Sequence, residues 1–357
     1  MRRARVEGVR RAVGEAGLVR GAAARTAYAL TIVTGVTVRV PAKLNLQLAV
    51  GPPRADGYHD LVTVFHAVSL FDEVTAEPAG RDGVTVTGEG ADRVPAGQDN
   101  LVLKAAVALR KAVAGAAAGR RAGTGADTAG VHITIAKRIP VAAGLAGGSA
   151  DAAAALVACN ELWDGGLSQP QLVEVAARVG SDVAFALLGG TAVGRGRGEQ
   201  LTPALAPSTQ HHWVLAFADG HLSTPEVYAA LDRLRATRAG GAGGTAPAAP
   251  AGPDLDAALM SALRSGEARL VGRALSNDLQ PAALSLFPAL RKTLAAGLEL
   301  GALGALVAGS GPTCVFLAAS ADRALDLAVS LSGAGVCRSV ARVTGPVAGA
   351  AIVPPAK

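Results

Sequence analysis

The run Pro140-Val-Ala-Ala-Gly-Leu-Ala-Gly-Gly-Ser-Ala-Asp151, leading straight into an alanine-rich stretch from Ala152 to Trp163, constrains this chain more than any other segment. Clustered glycines permit close backbone approach and positive φ, and a serine followed by good helix formers marks a helix start. Free N–H groups and the positive end of a helix dipole then face one spot, which suits a phosphate. A glycine turn that only caps a core helix looks the same in isolation, because glycine runs are common punctuation. The meaning of the segment therefore depends on the motifs around it.

Composition narrows the classes. With 357 residues, 50% of them hydrophobic and 17% charged, the chain can bury a sizeable core and suggests two domains more readily than one. A pI of about 9.6 raises the question of a nucleic-acid partner. Residues 1–35, however, hold seven arginines against Glu7 and Glu15, so +5 of the formal +6 sits there and the remainder is nearly neutral. With 3% aromatic residues there is no stacking platform for single strands either. No nucleic-acid partner is expected. Cys159, Cys314 and Cys337 are far apart and include no CxxC pair, so neither a disulfide framework nor a zinc site is signalled, and a reducing cytoplasm is the default. Leu300 to Ala321 is uncharged and long enough to cross a bilayer, but Gly309-Ser-Gly-Pro312 would break a spanning helix, so we read helix, glycine turn and buried strand, with no membrane partner. The arginine-rich start lacks the apolar core and cleavage site of a secretory signal and reads as a poorly ordered extension over 1–35.

Along the chain, Thr37 to Val40 and Leu44 to Val50 read as β segments, followed by a turn over Gly51 to Gly57 and an apolar run from Leu61 to Leu70. Gly83 to Thr87 is a further strand. Asn100 to Ala114 has helical composition, Gly115 to Gly130 reads as a loop insertion, and Val131 to Ala136 as a strand. Gln171 to Val179 is a helix ended by Gly180, and Gly189 to Glu199 is read as a turn system. A second unit begins near the strand Trp213 to Ala218. Ala236 to Pro253 is a low-complexity loop between helices. Helices follow at Leu255 to Leu263, Ala268 to Leu275 and Leu284 to Gly297, then strands at Cys314 to Leu317 and Val340 to Val343 with a helix from Asp322 between them. Interleaved strands and helices in both halves make the class α+β or α/β.

No GxxxxGK[ST] is present, the glycine loop lacks the acidic residue that would complete a dinucleotide fold, and the protein-kinase motif set is missing. Yet glycine-rich turns recur at 144–148, 194–198 and 309–311, each beside an apolar segment. Pro41-Ala-Lys-Leu-Asn-Leu46, Arg54-Ala-Asp-Gly-Tyr-His59, Pro140 to Ser149, Gly180-Ser-Asp-Val183 and Gly309-Ser-Gly311 occur in the order and spacing of the GHMP small-molecule kinases. The chain resembles that family over residues 36–345. The PAKLN and ADGYH pair resembles the members that act on 4-diphosphocytidyl-2-C-methyl-D-erythritol and sets the chain apart from homoserine, mevalonate and galactose kinases.

The resemblance implies an α+β, two-domain fold: an ATP-binding N-terminal domain over 36–205, like domain 2 of ribosomal protein S5, a ferredoxin-like C-terminal domain over 206–346, and a tail at 347–357. It implies ATP as co-substrate with Mg²⁺, transfer of the γ-phosphoryl to the 2-hydroxyl of the methylerythritol unit in non-mevalonate isoprenoid synthesis, and a monomer or homodimer. The alternatives are another GHMP kinase, of homoserine or mevalonate type, or an inactive nucleotide-binding protein. Retention of both Lys43 and Asp182 argues against the last.

Phosphoryl transfer is mainly positioning and charge stabilisation, so a cradle, a cation, Mg²⁺ and a proton acceptor are the parts to find. The resemblance assigns Asp182 as catalytic base, at a turn partly shielded from water, and Lys43 as the cation beside the acceptor hydroxyl. Pro140, Val141, Ala142, Ala143, Gly144, Leu145, Ala146, Gly147, Gly148 and Ser149 form the ATP segment, with Asn100 and Lys137 on the adenosine side and Ser149 as the protein contact to Mg²⁺. Tyr58 and Tyr228, two of only three tyrosines, fall where rings meet the cytosine; Phe65 completes the wall and His59 supplies hydrogen bonds through its ring and backbone. Asn45 reaches the acceptor's sugar alcohol, Asp56, Thr224 and Pro225 shape the same pocket, and Gly309, Ser310 and Gly311 are the third glycine motif. Three positions depart from the family pattern. Ala146 stands for a frequent glycine and is small enough to be harmless; Asp151 stands for a frequent asparagine and is unfavourable near phosphates unless it points away or meets Mg²⁺; Ala184 stands for a proline, which relaxes the loop holding Asp182. His66, His132, His211, His212 and His221 have no ligand spacing, so a protein-held zinc is not expected.

Overall fold

The structure, a computed structural model, describes residues 35–117, 130–205, 209–241 and 252–354. The extension expected at 1–35 lies outside them apart from Gly35, as do most of the insertion after Ala117 and residues 242–251 of the low-complexity loop. Among the described residues no helix is long and apolar enough to cross a membrane.

Two long strands organise the first half. Val36–Pro53 (β1) and His59–Ala79 (β2) pair antiparallel across the turn at 54–58. The segments Thr37–Val40 and Leu44–Val50 are thus one strand, not two. The pairing shifts register between Pro41 and Ala42 and again between Asn45 and Gln47. Such irregularities bend a strand without ending it, and they bracket Lys43 and Asn45. Gly83–Gly88 (β3) lies parallel to Gly130–Lys137 (β4), which pairs with the far half of β2, whereas the near half of β2, Leu61 to His66, pairs with Thr191–Gly196 (β5). β5 lies inside the stretch expected to be all turn, and it makes a hairpin with Gln200–Pro203 (β6) just beyond it. Glycine misled there: a Cβ on Gly194 would lie 2.7 Å from the Phe65 ring, so the residue records close packing of a strand and not a bend.

Four helices interleave with these strands, Leu101–Ala117 (α1) between β3 and β4 and Gly147–Leu162 (α2), Gln169–Val179 (α3) and Ser181–Leu188 (α4) between β4 and β5. In α2 the alanines 150, 152 to 155 and 158 are all buried, in one core with Val38, Leu44 and Leu156. Side chains this small let a helix with no polar face lie close to its neighbours. A capping box between Ser168 and Gln171 starts α3 two residues earlier than its apolar pattern suggests. Asp182 lies in the first turn of α4, not in a loop, and Ala184 is buried inside that helix. The absent proline therefore leaves the helix continuous.

The second half is built on a four-stranded antiparallel sheet. His211–Phe217 (β7) leads into Thr224–Gly241 (α5), which continues past Ala236 into the segment expected to be a loop. Ala257–Ser265 (α6), Ala268–Arg273 (α7), the short strand Ser276–Asn277 (β8), Gln280–Leu286 (α8) and Leu290–Glu299 (α9) follow. The helix expected from Leu284 to Gly297 is broken around Pro288, which cannot sit in a helix interior. Gly304–Val307 (β9) and Cys314–Ala318 (β10) form a hairpin around the glycine turn, so the apolar run before that turn is a strand and not a helix. Four apolar residues carry no period long enough to tell the two apart. Ala321–Gly333 (α10) and Ser339–Gly345 (β11) complete the order β11-β7-β10-β9. Two late segments return to the first sheet: β8 pairs parallel with Gln47 and Leu48, and Ala351–Ile352 (β12) pairs with Val38 and Arg39.

The two sheets meet at a seam of polar rings. His66 on β2 is fully buried, bonds Thr191 Oγ1 through Nδ1 at 2.9 Å, and has its ring centroid 6.1 Å from His211 and 5.7 Å from Trp213, both on β7. Gly345 of β11 approaches so closely that a Cβ there would lie 2.5 Å from His66 Nε2.

Candidate active site

The glycine loop leaves β4 at a buried ion cluster. Asp72 of β2 accepts the Arg138 and Ile139 backbone N–H groups at 2.5 and 2.8 Å and the Lys137 ammonium at 2.5 Å, and Lys137 also reaches Asp151 Oδ2 at 2.8 Å. One carboxylate thus holds the loop entry, and through Lys137 it is tied to α2, where the loop exits. Lys137, expected from the sequence on the adenosine side, is therefore a structural cation buried beneath the loop and outside the cavity lining. Burial lifts the Asp151 carboxyl well above the usual range, against the pull of Lys137. Asp151 is turned into the ion cluster and lies outside the cavity lining.

Beyond that anchor the backbone turns sharply. Gly144 has φ 79, and a Cβ there would lie 2.1 Å from the Ala308 carbonyl, so only glycine lets this loop touch the turn at 308–311. Ala146 takes φ 58 and ψ 33 as the N-cap of α2, which begins at Gly147, two residues before the serine expected to start it, and no side chain caps it. Ala146 is small, but the relevant property is its left-handed backbone, which glycine would adopt at no cost. The first N–H groups of α2 have no intrahelical acceptor, and Gly147, Gly148 and Ser149 line a cavity of about 1050 Å³ together with Ala142, Ala143 and Gly144. Pro140, Val141 and Leu145 are outside that lining; Leu145 packs into the core and its carbonyl accepts the Lys43 N–H at 3.3 Å. Asn100 is buried too. Its amide donates to the Pro95 carbonyl and its oxygen accepts the Val102 N–H, so it caps α1 and lies outside the cavity lining.

Lys43 and Asp182 meet on the cavity wall. Lys43 Nζ lies 3.7 Å from Asp182 Oδ2, donates to Asn45 Oδ1 at 2.7 Å and to the Gly144 carbonyl at 3.3 Å. Asn45 donates in turn to Thr63 Oγ1 at 2.8 Å, and Thr63 to the Gln47 carbonyl at 2.7 Å. Both residues sit at the β1 irregularities, two positions apart and on one face. The chain of bonds fixes the ammonium between the glycine loop and α4, close to where Gly309 (φ 52) passes; a Cβ on Gly309 would lie 3.5 Å from Lys43 Nζ. Ser310 shares a 2.9 Å hydrogen bond with Thr224 Oγ1, and Gly309, Ser310, Gly311, Thr224 and Pro225 all line the cavity.

Aromatic side chains line the same cavity. Tyr58 is 56% exposed, His59 is buried with its ring 5.0 Å from that of Tyr228, and Phe65 stacks on Phe185 at 4.8 Å. Burial, with Asp182 adding to it, pushes the Tyr228 hydroxyl up to about 12, so it stays a neutral donor. Asp56 is outside the lining. It is exposed, accepts the Tyr58 N–H at 3.1 Å and pairs with Arg54 at 3.0 Å, shaping the turn and not the pocket. Three charged lining residues escaped the sequence reading. Asp232 accepts from His59 Nε2 at 3.0 Å and sits one helical turn after Tyr228, a spacing that reading α5 as a helix would have exposed; Arg178 ends α3, and Arg197 tips the β5–β6 hairpin. Among the described residues no cluster of His, Cys, Asp and Glu suits a metal held by protein alone.

Residues 100–190 match the GHMP kinases N terminal domain and residues 259–337 the GHMP kinases C terminal domain. The 4-diphosphocytidyl-2-C-methyl-D-erythritol kinase of Thermobifida fusca is 54% identical over 328 residues, covering 90% of this chain and 99% of that protein. The chain belongs to the GHMP kinases, on the 4-diphosphocytidyl-2-C-methyl-D-erythritol kinase branch. A crystal structure titled 4-(cytidine 5'-diphospho)-2C-methyl-D-erythritol kinase aligns with a TM-score of 0.64 at 34% identity, over 86% of this chain and 98% of that one. Homoserine kinase from Cytophaga hutchinsonii reaches the same TM-score at 19% identity, over 91% and 99% of the two chains. That second likeness carries the fold alone, so the GHMP fold, α+β as expected, is shared across the family while the branch is set by sequence.

Proposed function

We propose that this protein transfers the γ-phosphoryl of ATP to the 2-hydroxyl of 4-diphosphocytidyl-2-C-methyl-D-erythritol, giving the 2-phosphate and ADP, a step of non-mevalonate isoprenoid precursor synthesis. The observation that carries this reading is the Lys43–Asp182 pair, 3.7 Å apart, in one cavity with a glycine loop and two tyrosines. At about 1050 Å³ the cavity exceeds what one drug-sized ligand fills, so it suits a nucleotide and an acceptor together. In this reading the N–H groups of Gly147, Gly148 and Ser149 cradle the ATP phosphates at the positive end of α2. Asp182 takes the proton of the 2-hydroxyl, and Lys43, held by Asn45 and the Gly144 carbonyl, offsets charge on the attacking oxygen. Tyr58 and Tyr228 flank the cytosine and His59, oriented by Asp232, hydrogen-bonds its edge.

Mg²⁺ fits the Ser149 hydroxyl, which lines the cavity beside the glycine loop, because this ion is bound through few protein oxygens plus substrate phosphates. When bound it would neutralise charge building on the phosphates. We divide the chain functionally at 205/206 and place it in the cytoplasm, where ATP is supplied. The deciding experiment incubates the purified protein with Mg-ATP and, separately, the cytidylyl acceptor, mevalonate and homoserine, and reads product mass. Gain of one phosphoryl group on the cytidylyl compound alone is expected; gain on another acceptor moves the substrate, and gain on none removes the kinase reading.

A further inference from the structure

The cavity lining contains three lysine or arginine side chains, Lys43, Arg178 and Arg197. Lys43 is committed to Asp182, Asn45 and the Gly144 carbonyl. His59 is committed to Asp232. Neither Arg178 nor Arg197 has an ion pair among the described residues, and of the two it is Arg197 that lies against a ring of the cavity. It is nevertheless built into place. Gly196 and Gly198 on either side take φ 72 and 101, the Gly198 N–H donates to the Arg195 carbonyl at 2.9 Å, and the Arg197 N–H donates to Glu199 Oε2 at 2.7 Å. The turn is seated against the cavity wall, because a Cβ on Gly198 would lie 3.4 Å from Phe65 and 3.6 Å from Ser181. The guanidinium carbon is 5.2 Å from the centre of the Tyr58 ring.

Arg197 therefore stands between the two ends of the acceptor site: it touches the ring assigned to the cytosine, and its neighbour packs on the residue before Asp182. In a cytidylyl acceptor the group between base and reacting alcohol is a diphosphate, which enters the cleft with its charge and needs a partner there. A planar guanidinium matches two phosphate oxygens at once. We propose that Arg197 binds the diphosphate of the acceptor, with Tyr58 holding the guanidinium for that task. This rests on the cytidylyl reading above.

The test uses the full chain and compares wild type with Arg197→Ala, Arg197→Lys and Arg178→Ala. Steady-state kinetics with both substrates are combined with competition by CDP and by cytidine, which lacks the diphosphate. For Arg197→Ala the KM of the acceptor and the inhibition constant of CDP should both rise about ten- to a hundredfold, the loss of a charge-assisted hydrogen bond. Cytidine inhibition, the KM of ATP and kcat should hold, and Arg197→Lys should fall between. An equal loss for cytidine and CDP would mean that Arg197 serves only the base, and unchanged CDP inhibition would mean that it serves neither; each overturns the proposal. So does transfer of the CDP effect to Arg178→Ala. Failure of the wild type to phosphorylate the cytidylyl compound would instead sink the underlying reading, and that arm is scored before any variant.

Discussion

Lys43 and Asp182 are 3.7 Å apart, longer than a good hydrogen bond, and the lysine's short 2.7 Å bond goes to Asn45. The pair is close enough to attract but leaves the carboxylate free to accept a proton from a third group. Asp182→Asn should lower kcat by about 10² to 10⁴ while leaving ATP affinity nearly intact, and Lys43→Ala should do the same; steady-state turnover with a separate ATP titration checks both. Near-wild-type turnover in either would remove that residue from the chemistry. That the two side chains share one site was legible in the sequence, because their motifs travel together. Ala146 was read as harmless on size, and its φ of 58 was not legible, since backbone sign follows from the loop it must complete. Ala146→Gly should relieve roughly 1 kcal/mol of left-handed strain, partly offset by the freer unfolded chain, so urea midpoints should stay level or rise slightly; a clear fall would show that the strain is not there.

Among the elements, the glycine loop was found from its composition, but what holds it was not. Asp72 lies in a plain strand sequence, and Lys137 looked like a nucleotide ligand because lysines near phosphate loops so often are. Only the register of β2 against β4 puts Asp72 opposite the loop entry. Lys137→Met should therefore act mainly on stability, by about 3 to 5 kcal/mol in chemical denaturation, because it leaves the buried Asp72 carboxylate without its cation. Loss of ATP affinity with unchanged stability would restore Lys137 to the binding site. Gly144→Ala is the converse case. Its Cβ would collide with the Ala308 carbonyl, so the two glycine turns must part, and a loss of at least about 2 kcal/mol is expected together with a fall in kcat/KM for ATP. The misread elements, β5, β9 and the break before α9, share a cause: each is short, and its glycine, proline or apolar content answers to tertiary packing.

For the whole molecule, the seam between the sheets sets an acid limit. Burial, reinforced by His211, pushes the His66 imidazole down to about 3. Unfolded, it titrates near 6.5, so between these values the unfolded chain binds the extra proton and stability falls as pH drops below 6.5, by up to about 1.4 kcal/mol per pH unit from this group. His66→Gln should flatten the stability profile between pH 6.5 and 4 relative to wild type, as measured by urea denaturation at each pH; parallel profiles would acquit the seam. The two-sheet plan could be anticipated from motif order, but not the buried histidine cluster, which needs β2, β7 and β11 side by side.

The same long-range closure bears on how the protein is made. Val50 N–H bonds Asp278, 228 positions later, beside the strand pair formed by β1 and β8. A ribosome releasing this chain from its start exposes the lysine-bearing strand long before the residues that finish its edge exist. Contacts of such separation close slowly, and an unfinished edge invites pairing with other chains. The outer edge of β1 thus stays open during synthesis until β8 and then β12 have emerged to close it.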